Sequence, residues 1–549
     1  MSITSRLLPV YSLRMQIDLE SVFAGQAAPY RSQVCIIGGG IAGLVLATSL
    51  AKAGIEVHLL EAGGHAAEER SQRLYDADMA AARHAGTTEG RFRQFGGSST
   101  RWGGQLLPYT EDIFTPPAGL PSLAWSLGAE AISRFYPQVE DLLDTDHLPF
   151  TADLYRAFGR KIPRDLSDSQ DILLRASKWA PFSRRNLAPT LGEQAIASNK
   201  TMVFFHANAT ELLLAQDGTR IEAILVRDYS GRLSRFEASQ YVLASGTIET
   251  SRLLLASRST APAGVGNESD QVGRGFHDHL SYSAATLTGP ARAAMLSWFA
   301  PILKRGTTHT AKLEARPALR GRLNLLAVMA HVVIVEPDDS GAAVLRSLLR
   351  SMQQGDLRGA LANSLPRLPG AAVEIGQLAY NAKIRKRRAV SARATVRLQI
   401  DTEQRARPEN RIRLASHEGE VDTLGVPRAV VDWRISSDEV YSIRRFAGFL
   451  REEFRRIGIG PISWHQELAA EMDAPLSNIS DTYHPMGGTL MGTNRSSSVV
   501  DPELRVHGIG NLSVASCATF PAGGSSNPTF TLMALTLRLA ARLTQNALH

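Results

Sequence analysis

Residues 32–61 limit what this chain can fold into more than any other stretch. Ser32-Gln33-Val34-Cys35-Ile36-Ile37 reads as a short buried strand and Gly38-Gly39-Gly40-Ile41-Ala42-Gly43 as a GxGxxG turn. A helical run through Leu50 follows, and then a second strand, Ile55-Glu56-Val57-His58-Leu59-Leu60, closed by Glu61. Strand, turn, helix, strand and acid in this order predict a parallel βαβ unit that binds a dinucleotide. Gly38, Gly40 and Gly43 suit a tight turn whose backbone approaches a pyrophosphate at a helix N-terminus, where the peptide dipoles favour negative charge. Glu61 stands 18 positions after Gly43, where a carboxylate accepts hydrogen bonds from a ribose hydroxyl.

The opposite end of the chain carries the other concentration of chemistry. Residues 481–531 place a His-Pro pair, a Gly-rich turn and an Asn-Pro-Thr triplet around the apolar run Asn511-Leu512-Ser513-Val514-Ala515, which reads as a buried strand. His484 and Asn527 lie 43 positions apart, each among turn-forming residues, so a fold can bring both to one site. Two further stretches suit a flat ligand. Gly96-Gly97-Ser98-Ser99-Thr100-Arg101-Trp102-Gly103-Gly104 is too small in its side chains to pack a core, and predicts a loop pressed against a ligand by Gly97, Ser98, Trp102 and Gly103. Gly246 follows a strand and opens a helix in which Glu249 falls in the first turn, where acids are favoured.

Length bears on the domain count: 549 residues exceed what one core sustains, so two or three associated domains are expected. The formal charge of +7 is modest for that length and comes with no nucleic-acid motif, so no nucleic-acid partner is expected; it favours anionic ligands or membrane surfaces. Cys35 and Cys517, the only cysteines, imply neither a disulfide framework nor a metal site. No apolar run spans a membrane and the first residues lack a signal-peptide core, so a cytoplasmic protein is expected, with export or membrane association through a partner left open.

Between the two ends the pattern is uneven. Residues 150–195 have no clear period. Strands return over 201–245 with a hairpin turn at Asp228-Tyr229-Ser230-Gly231, a buried strand is expected over 321–335, and a helix over 437–457. Residues 341–390 read as an Arg-rich helical insertion that is either solvated, a lid, or a peripheral membrane contact.

Taken together, these blocks resemble the glucose-methanol-choline (GMC) family of FAD-dependent oxidoreductases over nearly the whole chain. Six occur in the family's order: GGGIAG with Glu61, GGSSTRWGG, SGTIETSRLLL, VGRGFHDH at 272–279, EQRARPENRIRL with LGVPRAVVDWR, and HPMGGTLMG to NPTFTLMALTLRLA. The last block is similar to the sugar and polyol dehydrogenase and pyranose-oxidase-like branch. The resemblance implies FAD, held without a covalent link because Arg101 stands where covalent members carry His. It implies that an alcohol CH–OH of a sugar, polyol or glycosylated natural product gives up hydride to flavin N5. His484 would be the base and Asn527 would hold the substrate oxygen, with Thr529 opening a helix toward the flavin. Oxygen, a quinone or a redox protein would reoxidise the flavin, and a small subunit is possible. A sterol or other hydrophobic-alcohol oxidase and a non-redox lyase are the alternatives within the same scaffold.

The fold expected is α/β. A Rossmann-like FAD-binding domain takes residues 31–108, 196–280 and 497–549, after an N-terminal arm of residues 1–30. A substrate domain with a mainly antiparallel sheet and helices takes 109–195 and 281–496.

Overall fold

The computed structural model describes residues 15–21, 28–120, 123–354, 373–377, 380, 390–416, 420–472 and 474–548. The buried strand Tyr30–Ile37 lies at the middle of an eight-stranded sheet, parallel to Val57–Leu60 on one side and to Leu233–Leu243 on the other. Thr201–Phe205 and Gln16–Asp18 extend the parallel order beyond Val57–Leu60, so part of the expected arm forms the edge of this sheet. On the other flank Leu233–Leu243 turns back through Asp228–Gly231 onto Ile221–Arg227, and its far half pairs in parallel with Leu512–Val514. The last pairing carries the C-terminal block into the dinucleotide sheet. Helix Ile41–Lys52 is apolar all round, and it is buried between the sheet and the C-terminal helix Thr529–Leu548.

A second, nine-stranded sheet is antiparallel throughout. Its central strands are His279–Leu287, Thr395–Glu403, Val328–Val335, Thr307–Ala315 and Ile172–Trp179. Alternation sorts each strand into two faces. One face carries Leu174, Ala311, Leu313, Ala330, Leu398, Ile400 and Tyr282, packed on Val440, Ile443, Phe446 and Leu450 of helix Ser437–Arg456. That helix starts where Ser436 and Glu439 satisfy each other's backbone amides in a capping box. The other face is polar although buried: cross-strand register sets Arg175 beside Lys312, Ser281 and Met329 beside Asp401, and His279 beside Glu403. Its charges are matched in place, with Arg175 on Glu314 at 2.7 Å and His331 on Asp401 at 2.8 Å.

Two sequence readings need adjustment. Ile172–Trp179 is a full strand inside the stretch that shows no period, because Arg175 and Lys178 are buried against Glu314 and Glu140 and disguise the alternation. Residues 321–335 divide into the end of helix Pro317–Leu323 and strand Val328–Val335, hinged at Asn324 with φ +54°. Of the insertion near 341–390, Gly341–Gln354 is helical and most of the remainder lies outside the described residues.

Candidate active site

One cavity of about 600 Å³ is lined by Gly38, Gly40 and Glu61 from the first βαβ unit, by Gly97, Ser98, Trp102 and Gly103, by Gly246, and by His484, Asn527 and Thr529. The volume is in the range of cofactor and ligand pockets. Gly43 is the one expected cofactor residue that does not line it. Its place is behind the turn, where a Cβ would lie 1.9 Å from the Gly38 carbonyl oxygen, so helix and turn are in direct backbone contact.

The cavity wall is built from backbone more than from side chains. Gly38 adopts φ +110°, a conformation that disfavours any Cβ. The amide of Gly96 donates to the Gly39 carbonyl at 2.9 Å, which docks the second glycine loop on the first, and a Cβ on Gly97 would stand 3.0 Å from the Gly40 Cα. Helices Ile41–Lys52 and Thr247–Ala256 both begin at a glycine with no side-chain cap, leaving their first amides for a ligand. Glu61 is buried with one oxygen on the Gly39 amide at 3.0 Å and the other on the Gly63 amide at 2.7 Å, so it braces the turn as well as facing the cavity. Burial pushes its carboxyl above the usual range, against those two bonds. Arg93 lines the same space with Nε and Nη1 buried and lacking a hydrogen-bond partner. A buried guanidinium whose ion-pair carboxylate, Glu249, stands at 3.8 Å and is shared with Arg91 and Arg252, beside two uncapped helix starts, fits an anionic dinucleotide. Glu249 is held in the wall by Arg91 at 2.9 Å; burial would raise its carboxyl, and Arg252, Arg91 and Arg93 outweigh that and keep it below the usual range.

At the other end the structure brings His484 and Asn527 together. The Asn527 Nδ2 lies 2.8 Å from His484 Nε2. Asn527 Oδ1 accepts the Thr529 backbone amide at 3.1 Å at the start of the C-terminal helix, which turns the NH₂ group toward the imidazole. Nε2 of His484 is therefore the lone-pair nitrogen. Burial, and after it the neighbouring His279, pull the His484 pKa down to about 4, so the ring is neutral at physiological pH and its Nε2 lone pair is available.

Several groups around this pair carried no role in the sequence. Asp278, fully buried, accepts from the His484 amide at 2.8 Å, the His279 amide at 2.6 Å and the Thr482 hydroxyl at 3.1 Å. Burial would raise its carboxyl; the bond from His84 and the surrounding histidines hold it below the usual range. His84, Asp278 and Asp481 converge within 4.8 Å, close enough for a cation, yet the Asp481 oxygens are taken by the amides of Ala85 and Gly86 at 2.8 Å each. They read as wiring for the loop that carries His484. The polar sheet face closes over the same region: Glu403 accepts the Gly524 amide at 3.2 Å, Glu314 the Ser525 hydroxyl at 3.1 Å, and His279 reaches His484. The block VGRGFHDH held one trace of this layer, since His277, Asp278 and His279 are adjacent there.

The tautomer argument yields an expected result. Asn527→Asp replaces a donor to Nε2 by a carboxylate, which favours a proton on that nitrogen. The acid limb of the substrate-dependent reduction rate, near pH 4 with the native pair, moves upward in the variant by at least about one pKa unit, which lowers the rate at pH 4 by about fivefold or more. An unmoved acid limb in a pH profile contradicts the assignment of Nε2 as the base nitrogen.

Comparison with known proteins agrees with this geometry. Residues 406–536 match the family model described as GMC oxidoreductase, and residues 31–261 match an FAD binding domain. The chain is 24% identical to paromamine 6'-oxidase of Streptomyces fradiae over 92% of its own length and 90% of that protein's. It is 26% identical to the fructose dehydrogenase large subunit of Gluconobacter japonicus, over 63% of its own length and only 55% of that relative's. In fold it is similar to pyridoxine 4-oxidase from Mesorbium loti, with a TM-score of 0.59 and 17% identity over 94% of this chain and 99% of that one. A glycine-walled dinucleotide cavity that ends at a His-Asn pair, and family matches at both ends of the chain, lead to one conclusion: this protein is a GMC oxidoreductase, an FAD-dependent enzyme.

Proposed function

We propose that this enzyme oxidises a CH–OH group on a polar, hydroxyl- or amine-bearing ring, as in a sugar or an aminoglycoside, with His484 as base and Asn527 as the group that holds the substrate oxygen. The observation that carries the substrate class is the buried polar sheet face against the loop of Asn527. Arg175, Lys312, His331, Asp401 and Glu403 share that face behind the cavity lining; Arg175 pairs with Glu314 and His331 with Asp401, and Glu403 and Glu314 hold Gly524 and Ser525 of the loop before Asn527, so the substrate end is backed by a polar, charged layer rather than the apolar one a sterol calls for. Lys312 is buried in that layer, with its pKa drawn down to about 8 by burial. Relatives named for fructose and paromamine favour the same class.

When bound, FAD supplies the acceptor for two electrons and the carbon-bound hydrogen. The protein's part is to set the oxygen. A substrate hydroxyl inserted between Asn527 and His484 accepts from Nδ2 and donates to Nε2, exchanging their direct bond for two. Nε2 then takes the hydroxyl proton as the carbonyl forms, and Asn527 holds the oxygen in place. Arg101 lies with its guanidinium 4.6 Å over Phe92, so this loop offers no histidine for attachment, and FAD is held non-covalently. Oxygen, a quinone or a redox protein reoxidises the flavin; the naming of one relative as a large subunit favours trying a companion chain as well.

The test is an anaerobic panel of sugars, polyols, aminoglycosides and sterols, followed by air. Bleaching of the flavin by a polar ring, with little from sterols, is the expected result, and the speed of recolouring separates oxidase from dehydrogenase. Bleaching by sterols alone overturns the substrate class, and no bleaching by any alcohol favours the lyase reading.

A further inference from the structure

His279 begins a strand of the antiparallel sheet and lies 205 positions from His484, yet the two Nδ1 atoms are 3.0 Å apart, with ring centroids 5.2 Å apart and planes at 82°. Which nitrogen carries the proton follows from the partners at the far ends of this pair. His279 Nε2 is 3.1 Å from the Gly523 carbonyl, which can only accept, so that nitrogen bears hydrogen. In the neutral ring Nδ1 is then the acceptor. At His484 the Asn527 amide requires a lone pair on Nε2, so Nδ1 bears hydrogen. The bond between the rings therefore runs from His484 to His279.

The remaining contact is consistent with this direction. Thr482 Oγ1 lies 2.8 Å from His484 Nδ1, and its own hydrogen goes to Asp278 at 3.1 Å, leaving a lone pair for the same N–H. With the His279 proton moved to Nδ1, two N–H groups would face each other and the Gly523 carbonyl would lose its donor. Asp278 fixes both backbones by accepting the amides of His279 and His484.

We propose that His279 is a positioning residue: anchored by Gly523, it accepts the Nδ1 proton of His484 and thereby keeps Nε2 free to face the substrate. When Nε2 takes up the substrate proton, the Nδ1 proton stays on His484 and remains accepted by His279, so the ring neither turns nor loses a bond. The inference rests on His484 being the base.

His279→Asn and His279→Leu separate this role from packing. Asn carries an acceptor oxygen as many bonds from the backbone as Nδ1; Leu is closer in bulk to His and has no acceptor. With a substrate that bleaches the native flavin, the Leu variant should reduce about 10–100-fold more slowly at little-changed KM and native flavin content, the range for loss of an outer hydrogen-bond partner. The Asn variant should recover most of that loss. A packing role predicts the reverse order, and either that order or a fully active Leu variant overturns the proposal. Histidine nitrogen NMR of the flavoprotein, assigned with His484→Ala, gives a readout free of turnover: the protonated Nδ1 of His484 should persist in the Asn variant and give way to a tautomer mixture in the Leu variant. An unchanged tautomer in the Leu variant also overturns it. Full activity in His484→Ala removes the base reading itself, whereas an inactive His484→Ala beside two fully active His279 variants removes only the positioning role.

Discussion

In the His484→Ala variant the flavin stays bound and the protein stays yellow, while anaerobic reduction by the substrate slows by about 10²–10⁴-fold, the usual worth of a general base. Retention follows from what the side chain does not do. The loop is held by the His484 amide on Asp278 and by Asp481 on the amides of Ala85 and Gly86, and none of these bonds uses the imidazole. The loss follows from what no neighbour replaces. His279 lies behind the missing ring and Asn527 offers only a donor to the oxygen, so the hydroxyl proton has no acceptor in place. Stopped-flow reduction against flavin content is the measurement, and added imidazole should restore part of the rate. Native-rate reduction in the variant would show that the base is elsewhere.

Gly43→Ala should have the opposite phenotype, a protein that cannot keep its cofactor. The new methyl would stand 1.9 Å from the Gly38 carbonyl oxygen, and Gly38 cannot yield, because a Cβ-sized displacement there meets the Ala244 carbonyl, 2.6 Å from its own ideal Cβ. Helix Ile41–Lys52 must back away from the turn, and it is wedged against the C-terminal helix whose first residues line the far end of the cavity. Overpacking of this kind costs about 1–3 kcal/mol or more. The expected product is colourless or substoichiometric in flavin and melts at a lower temperature. Gly54→Ala is the control: its φ is +84° but nothing among the described residues lies within 4 Å of the added methyl, so it pays backbone strain alone and stays yellow. A fully flavinylated Gly43→Ala protein would refute the close-contact argument.

The difference between what the sequence disclosed and what it hid lies in the range of the interactions. Residues 32–61 were legible because each position there answers to its neighbours: an apolar strand, glycines where the backbone turns, and an acid at the next strand's end. His484 and Asn527 were legible because turn residues flank both. Ile172–Trp179 was hidden because Arg175 and Lys178 find their counter-charges on other strands and helices, so their burial leaves no periodic trace. His279 was hidden for the same reason in stronger form, since its role exists only through the approach of a loop 205 positions away. The sequence carried its letters, in HDH at 277–279, without its partner.

The two-faced antiparallel sheet has a consequence for how such an enzyme changes over time. Neighbouring residues on one strand, such as Lys312 and Leu313 or Ile400 and Asp401, answer to different clients, one to the polar layer behind the loop of Asn527 and one to helix Ser437–Arg456. Two messages are thus interleaved along the same backbone. Mutation can rewrite every second letter and alter which molecules are accepted, while the letters between continue to specify the scaffold.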